Sequence, residues 1–193
     1  MKVVAFDIGI VNMVFIVLER VNDTVKPVVV NYKIHAWESI AIGRPTAPSE
    51  TLVGSLLAQL DTFNATGIFD DLNAVVIERQ MVVKMCVLAH VVQAYFLLRT
   101  QLPARAVYIQ HATRKNSCGT LLDNAGLAVS ATTQATYAVY KKRSIHDAAQ
   151  ALCLQPDSAW HDKFHRMAKQ DDFADALMHA LWFAFVRRPV FTA

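Results

Sequence analysis

The stretch VVAFDIGIVNMVFIVLER (3–20) decides the fold. It contains two runs of β-branched and aromatic residues with a break at Gly9, and each run is typical of a buried β-strand. A third run, KPVVVNYKIHAW (26–37), follows the turn-like segment VNDT (21–24). Because the connections are short, the three runs predict a meander at the start of a sheet.

The rest of the chain alternates between helical and strand patterns. SETLVGSLLAQLDTF (49–63) has leucines at helical spacing, and LNAVVIE (72–78) is a buried type of strand. The next four segments predict, in order, a helix, a strand and two helices: VVKMCVLAHVVQAYFLLRTQ (82–101), RAVYIQ (105–110), AVYKKRSIHDAAQALCL (138–154) and DDFADALMHALWFAFV (171–186). The order βββ-α-β-α-β-α-α predicts an α/β chain with an RNase H-like fold, in which helices flank a central mixed five-stranded sheet.

Size and composition favour one folded domain over residues 1–193. Hydrophobic residues make up 54% and charged residues 18%, so we expect a sizeable core. The longest apolar run, MCVLAHVVQAYFLL (85–98), is too short to span a bilayer, so we expect no membrane partner. The run VVAF (3–6) leads directly into Asp7, which is typical of a strand and not of a cleavable leader.

The cysteines indicate a reducing compartment. Cys86, Cys118 and Cys153 are odd in number and far apart, and they form no CxxC pair. This pattern favours free thiols in an intracellular protein over a disulfide framework or a zinc site.

Charge is unevenly distributed along the chain. The formal net charge is +3; residues 1–98 hold seven Lys/Arg against nine Asp/Glu, and residues 99–193 hold twelve against seven. A modestly basic C-terminal half is compatible with nucleic acid without requiring it.

Two acidic residues stand at the ends of predicted strands. Asp7 follows four apolar residues, and Glu78 follows AVVI (74–77). Either acid could lie in a turn or at the surface. A carboxylate that ends a buried strand can also face a cleft, since its burial without compensation is costly.

The last predicted helix adds further acids at its start. Asp172 and Asp175 are three residues apart, hence on one face, and an apolar run follows them. Acids are also common at helix N-termini, where they cap the helix and favour its dipole. Together with Asp7 and Glu78, however, they form the oxygen-rich set that a two-metal phosphoryl-transfer site requires.

Three motifs in series resemble a known family. FDIGIVN (6–12), VVIERQ (75–80) and KQDDFADALMHAL (169–181) are similar to motifs of the RuvC-like Holliday junction resolvases. The likeness is greatest to the poxvirus-type enzymes and their relatives in other large DNA viruses. The matches lie in the expected order and cover nearly the whole chain.

The resemblance implies a homodimeric endonuclease that nicks four-way DNA junctions symmetrically. It implies Mg²⁺ as cofactor, with Mn²⁺ able to substitute and two ions in each active site. Asp7, Glu78, Asp172 and Asp175 occupy the positions of the catalytic and metal-binding acids, whereas Asp171 is expected to cap the helix. A cytoplasmic location would follow if the source is a cytoplasmic DNA virus.

The resemblance also implies a catalytic lysine, which the sequence places less securely. Lys142 has the expected distance from the closing aspartates; Lys141 and Lys115 are alternatives. A lysine there would supply a mobile positive charge near the scissile phosphate. Further candidates for DNA contact, which could equally be solvated surface charges, are Lys115, Lys141, Arg143, Lys163, Arg166 and Lys169.

Other functions and one interface remain open. The chain could be another RNase H-like nuclease that cuts RNA–DNA hybrids or flaps, or a junction-binding protein without catalysis. The predicted helix 82–101 carries an apolar stripe that either belongs to the core or forms the dimer interface; it comprises Val83, Val87, Val91, Tyr95 and Leu98.

Overall fold

A five-stranded mixed sheet forms the centre of the protein, in the order β3-β2-β1-β4-β5. The computed structural model describes residues 1–21, 32–100, 102–113, 137–155 and 158–187, with backbone only at 137–138. The strands are β1 Lys2–Asp7, β2 Met13–Arg20, β3 Tyr32–Ile40, β4 Ala74–Glu78 and β5 Val107–Gln110.

The first three strands pair in chain order, and the last two are added on the other side of β1. β1, β2 and β3 form an antiparallel meander. β4 pairs with β1 in parallel, and β5 pairs with β4 in parallel. Parallel pairing needs long connections, and α1 and α2 supply them on one face of the sheet.

Five α-helices flank the sheet in the described parts of the chain. They are α1 Ser49–Asn64, α2 Val83–Arg99, α3 Tyr137–Cys153, α4 Ala159–Arg166 and α5 Gln170–Leu181. A short 3₁₀ turn, Ala104–Ala106, precedes β5, and a π-helical segment, Trp182–Arg187, continues α5. No helix within these ranges is both long and apolar enough to cross a membrane.

The two faces of the sheet pack against different helices. Side chains alternate between faces along each strand, so Val4 and Phe6 pack towards α1 and α2. Val3 and Ala5 pack towards α3, α4 and α5. The last residue of β1, Asp7, follows this alternation towards α5.

The structure confirms the predicted fold class and the meander, with two differences in the helices. α4 is absent from the predicted order because only Phe164 of its eight residues is buried, so no apolar period marks it. The helix predicted to run to residue 186 ends as an α-helix at Leu181 and continues in π form. Residues 26–31 of the third predicted strand lie outside the described residues.

Candidate active site

Three adjacent strands end in polar side chains on the face that α5 covers. Phe6 is opposite Ile77 in the parallel β1–β4 pair, so the next residues, Asp7 and Glu78, are neighbours. Glu78 is in turn opposite Gln110 of β5. The sheet register therefore places two carboxylates side by side at the C-terminal ends of two inner strands. Glu78 is only 7% exposed.

The first turns of α5 bring two more carboxylates to the same place. Asp172 and Asp175 lie on one face of the helix, while Phe173, Ala174 and Ala176 are buried. The following buried turns pack on β1 and β2. The apolar part of α5 thus fixes the position of the acidic part.

One cavity of about 910 Å³ contains all four acids. Asp7 and Glu78 contribute from the sheet, and Asp172 and Asp175 from α5. Its rim carries polar side chains from five parts of the chain: Asn12, Gln80, Lys84, Thr113, Tyr140, Lys141 and Lys169. The four acids that the sequence singled out are therefore brought together, although their catalytic and metal-binding roles stay predictions.

Helix α3 lies along α5 and holds its acids in place. The Ser144 hydroxyl donates a hydrogen bond to Asp175 Oδ1 at 2.6 Å. Lys141 forms an ion pair with Asp171. The expectation that Asp171 caps α5 is wrong: Lys169 occupies the N-cap, no side chain makes a capping hydrogen bond there, and the Asp171 carboxylate is turned to Lys141.

Glu78 lies between two polar side chains. The Gln80 amide donates to Glu78 Oε2 at 3.2 Å. On the other side, His179 Nε2 lies 3.7 Å from Glu78 Oε1, beyond hydrogen-bonding distance. Gln110 Nε2 is 2.6 Å from His179 Nδ1, so a buried chain of polar groups runs from β5 through α5 to β4.

The adjacent carboxylates of Asp171 and Asp172 carry opposite pKa shifts. Burial raises the pKa of Asp172, and the neighbouring charges of Asp171 and Asp175 raise it further against the opposing effect of Lys141 and Lys169. Burial would also raise the pKa of Asp171, but the hydrogen bond and charge of Lys141 outweigh it and leave that pKa lowered. Negative charge therefore collects at the start of α5, and Lys141 and Lys169 offset only part of its effect on Asp172.

The donor chemistry of the cavity fits a hard divalent cation. Carboxylate oxygens are the ligands that Mg²⁺ prefers, and a bound cation would favour the charged form of Asp172 against the burial and the neighbouring negative charges that raise its pKa. Over the described ranges, however, no three Asp, Glu, His or Cys side chains are grouped closely enough to form a ready-made metal shell. The residues suit Mg²⁺ in kind, and their side chains would have to close around it.

The basic candidates divide clearly by position. Lys141 and Lys169 line the cavity, whereas Lys142 is exposed and is not among the lining residues. The catalytic role predicted for Lys142 stays untested, but the geometry favours its neighbour. Arg143 is near Asp147, with Nε 3.6 Å from Oδ2. Lys115 lies outside the described residues, as does most of the segment 111–137.

Two further DNA-binding candidates lie on α4, away from the cavity lining. The Lys163 ammonium donates hydrogen bonds to Glu38 Oε1 at 3.1 Å and to the Trp37 carbonyl at 3.2 Å, and it lies over the Trp160 ring. Arg166 is exposed and donates to the Asp162 carbonyl. Neither residue is brought to the acids, so any DNA contact would be at a distance from the reacting phosphate.

Several side chains of the site carry no clear signal in the sequence. For Gln80 the sequence offers one indication of a role in the site, its position two residues after the strand-end acid Glu78. Lys84 donates to the carbonyls of Pro45 and Ala47, and it thereby ties the start of α2 to the loop on the rim. Ser144 and His179 resemble ordinary helix residues, because their partners are 31 and 69 positions away.

The strand order and the helices on both faces define an RNase H-like fold of the RuvC type. Sequence comparison finds no matching protein-family model and no similar curated protein. Among solved structures, fowlpox virus resolvase bound to Holliday junction DNA is similar over 98% of this chain and 100% of its own, with a TM-score of 0.65 and 16% identity.

Two cellular structures show the same likeness. Thermus thermophilus RuvC matches 97% of this chain and 96% of its own, with a TM-score of 0.58 and 21% identity. The yeast mitochondrial Holliday junction resolvase matches 96% of this chain and 81% of its own, with a TM-score of 0.55 and 17% identity. At these identities the likeness establishes a shared fold, and it confirms at that level the resemblance carried by the three motifs.

Proposed function

We propose that this protein is a structure-selective DNA endonuclease that resolves four-way junctions by paired, symmetric nicks. The observation that carries the proposal is the meeting of Asp7, Glu78, Asp172 and Asp175 in one cavity. They come from three distant segments of a chain whose fold is that of Holliday junction resolvases.

The four acids would hold two Mg²⁺ ions, which Mn²⁺ could replace. Bound there, the ions would activate a water and stabilise the leaving oxygen of the phosphodiester. Asp7 and Glu78 are set by sheet register, and Asp175 is set by Ser144, so this side of the cavity is organised before DNA arrives. Burial and the neighbouring negative charges raise the pKa of Asp172, so a bound cation would stabilise its charged form.

The cationic rim supports a phosphate-bearing substrate. Lys141 and Lys169 lie at the mouth of an acidic cavity, where they would attract the DNA backbone that the acids alone would repel. We assign the lysine next to the scissile phosphate to Lys141. Its ammonium is already positioned by Asp171, and a lysine charge can shift towards a developing negative charge.

Paired nicks require two active sites, and α2 offers a surface for a second copy of the chain. Its outer face exposes Val83 (77%), Val87 (41%) and Leu98 (81%), while Tyr95 is buried in the core. The apolar stripe in the sequence therefore divides into a core part and an exposed part. We expect Val87→Glu to convert a dimer into a monomer in light scattering, and an unchanged mass would reject α2 as the interface.

Substrate comparison tests the proposed function. Cleavage of a synthetic four-way junction, a linear duplex, a flap and an RNA–DNA hybrid is measured with Mg²⁺ and with EDTA. We expect cutting of the junction alone, at symmetric positions on two strands, and no cutting in EDTA. Equal nicking of linear duplex or preference for the hybrid would reject junction resolution, and junction binding without any metal-dependent cutting would indicate a catalytically silent binder.

A further inference from the structure

A histidine is buried in the apolar part of α5. His179 has no exposed surface, and it lies one helical turn beyond Asp175. Asp172, Asp175 and His179 are spaced three and four residues apart, so they share the helix face that meets the strand ends. Helix α5 therefore presents the aspartate pair to the cavity and a histidine to the ends of β4 and β5.

Hydrogen bonding defines which ring nitrogen carries the proton. Gln110 Nε2 is 2.6 Å from His179 Nδ1 and donates to it, so in the neutral ring the proton is on Nε2. That Nε2 has no hydrogen-bond partner in the described part of the chain, and neither does Gln110 Oε1. Fully buried ring nitrogens are rarely left without a partner in folded proteins.

The unpaired nitrogen is aimed at Glu78. His179 Nε2 is 3.7 Å from Glu78 Oε1, so an approach of less than about 1 Å would make a hydrogen bond of ordinary length. A carboxylate can only accept, and the ring nitrogen facing it is the one that carries a proton. The donor and the acceptor are thus already matched.

We propose that His179 is a positioning residue for Glu78, with Gln110 fixing the ring tautomer. This rests on the proposed function, since it takes Glu78 as a metal ligand. Gln80 holds Glu78 Oε2 from the solvent side, and His179 would hold Oε1 from the core side. The carboxylate then keeps one orientation, while its remaining lone pairs stay available to a cation.

Two substitutions separate positioning from packing. In His179→Gln the side-chain amide nitrogen replaces Nε2 and can still donate to Glu78. In His179→Asn the amide replaces the Nδ1 edge, so it keeps the contact with Gln110 but cannot reach Glu78. His146→Asn, at an exposed position of α3, is the matched control.

Mn²⁺ affinity of the full-length, DNA-free protein is measured by calorimetry and by the electron paramagnetic resonance signal of free Mn²⁺, with a melting curve for each variant. We expect His179→Asn to weaken binding about tenfold or more and His179→Gln to stay within about threefold of wild type. The Mn²⁺ midpoint for junction cleavage should shift in the same order. Equal losses in both variants, or no loss in His179→Asn, would overturn the proposal.

Two more variants keep the outcome interpretable. Gln110→Met leaves His179 in place but removes the donor that fixes its tautomer, so weaker Mn²⁺ binding is expected and unchanged binding counts against the proposal. If His179→Asn fails to fold, Gln110→Met tests the proposal in its place. Glu78→Gln tests whether Glu78 is a metal ligand, and wild-type Mn²⁺ affinity in this variant would reject that assignment. Weaker Mn²⁺ binding in Glu78→Gln together with normal binding in His179→Asn would reject only the role of His179.

Discussion

The two faces of the sheet bury different kinds of side chain. Towards α1 and α2 the core is apolar and rich in aromatic rings, with Phe96 in contact with Phe6 and Phe69. Towards α3–α5 the described core also includes five buried polar side chains, Glu78, Gln110, Ser144, Asp147 and His179. Polar burial is costly unless partners are arranged, so it indicates a face shaped for chemistry as well as for stability.

The two faces of the sheet have different roles. Apolar packing on α1 and α2 fixes the strands without directional bonds, and the strand ends then fix Asp7 and Glu78. On the opposite face, a hydrogen bond from Ser144 positions Asp175, and an ion pair with Lys141 holds Asp171. Damage to the first face should therefore lower stability, and damage to the second should lower activity in a protein that is still folded.

The largest effect is expected from Asp172→Asn. Loss of a ligand charge should reduce junction cleavage roughly a thousandfold or more, because metal catalysis supplies several kcal/mol and about 1.4 kcal/mol corresponds to tenfold in rate. Junction binding should be largely retained, and the melting temperature should not fall, since the substitution removes a half-buried charge that the neighbouring Asp171 and Asp175 repel. Asp162→Asn on α4 is the control, and wild-type cleavage by Asp172→Asn would reject the metal-ligand assignment.

The apolar face should respond in the opposite way to Phe96→Ala. Phe96 is fully buried, so its truncation should lower the free energy of unfolding by about 3–5 kcal/mol. Cleavage per folded molecule should change little, because the ring contacts that are lost, with Phe6 and Phe69, involve residues outside the cavity lining. Urea unfolding and junction cleavage, both measured well below the melting temperature, separate the two quantities. A large loss of activity in fully folded protein would contradict the division between faces.

A smaller effect is expected from the lysines of α3, which form a matched pair. Lys141→Ala should slow cleavage roughly a hundredfold, as loss of one transition-state charge typically does. Lys142→Ala should remain within about threefold, because exposed side chains away from the site contribute little. Single-turnover rates at saturating Mg²⁺ compare the two variants directly, and a larger defect in Lys142→Ala would restore the lysine that the sequence favoured.

This pair shows where sequence reasoning reaches its limit. Adjacent helix residues point about 100° apart, so a helix must be placed against its neighbours before Lys141 can be distinguished from Lys142. Acids such as Asp7 and Glu78 were predictable because each interrupts an apolar strand at its end. The continuous runs of β-branched and aromatic residues likewise predicted the strands, since helices cover both faces of the sheet and bury successive strand residues.

Other features depend on contacts that the sequence does not encode locally. Gln110 meets His179 across 69 residues, and Ser144 meets Asp175 across 31, only because α3, α5 and β5 pack together. Asp171 had the position of a helix cap, but the approach of Lys141 gave it a stronger partner. Tertiary packing thus decided the roles of polar residues whose local pattern was ordinary.

The smallest effect is expected at the polar link between α1 and α2. The Tyr95 hydroxyl donates to Asp61 Oδ1 at 2.9 Å, and burial, followed by the hydrogen bond and charge of Asp61, raises the pKa of Tyr95 to about 12. Tyr95→Phe should cost about 0.5–1.5 kcal/mol of unfolding free energy at pH 7 and leave cleavage unchanged.

The pH dependence of that cost follows from the direction of the shift. Folding favours the neutral phenol, so its contribution is complete below the ordinary pKa of 10.0 and is lost as pH rises towards about 12. The stability difference between wild type and Tyr95→Phe should accordingly be constant from pH 7 to about 9 and shrink above pH 10. Urea unfolding at several pH values measures it, with tyrosinate absorbance to follow ionisation. A difference that grows with pH, or a loss of cleavage in Tyr95→Phe, would show that this face is not the purely structural one that its packing indicates.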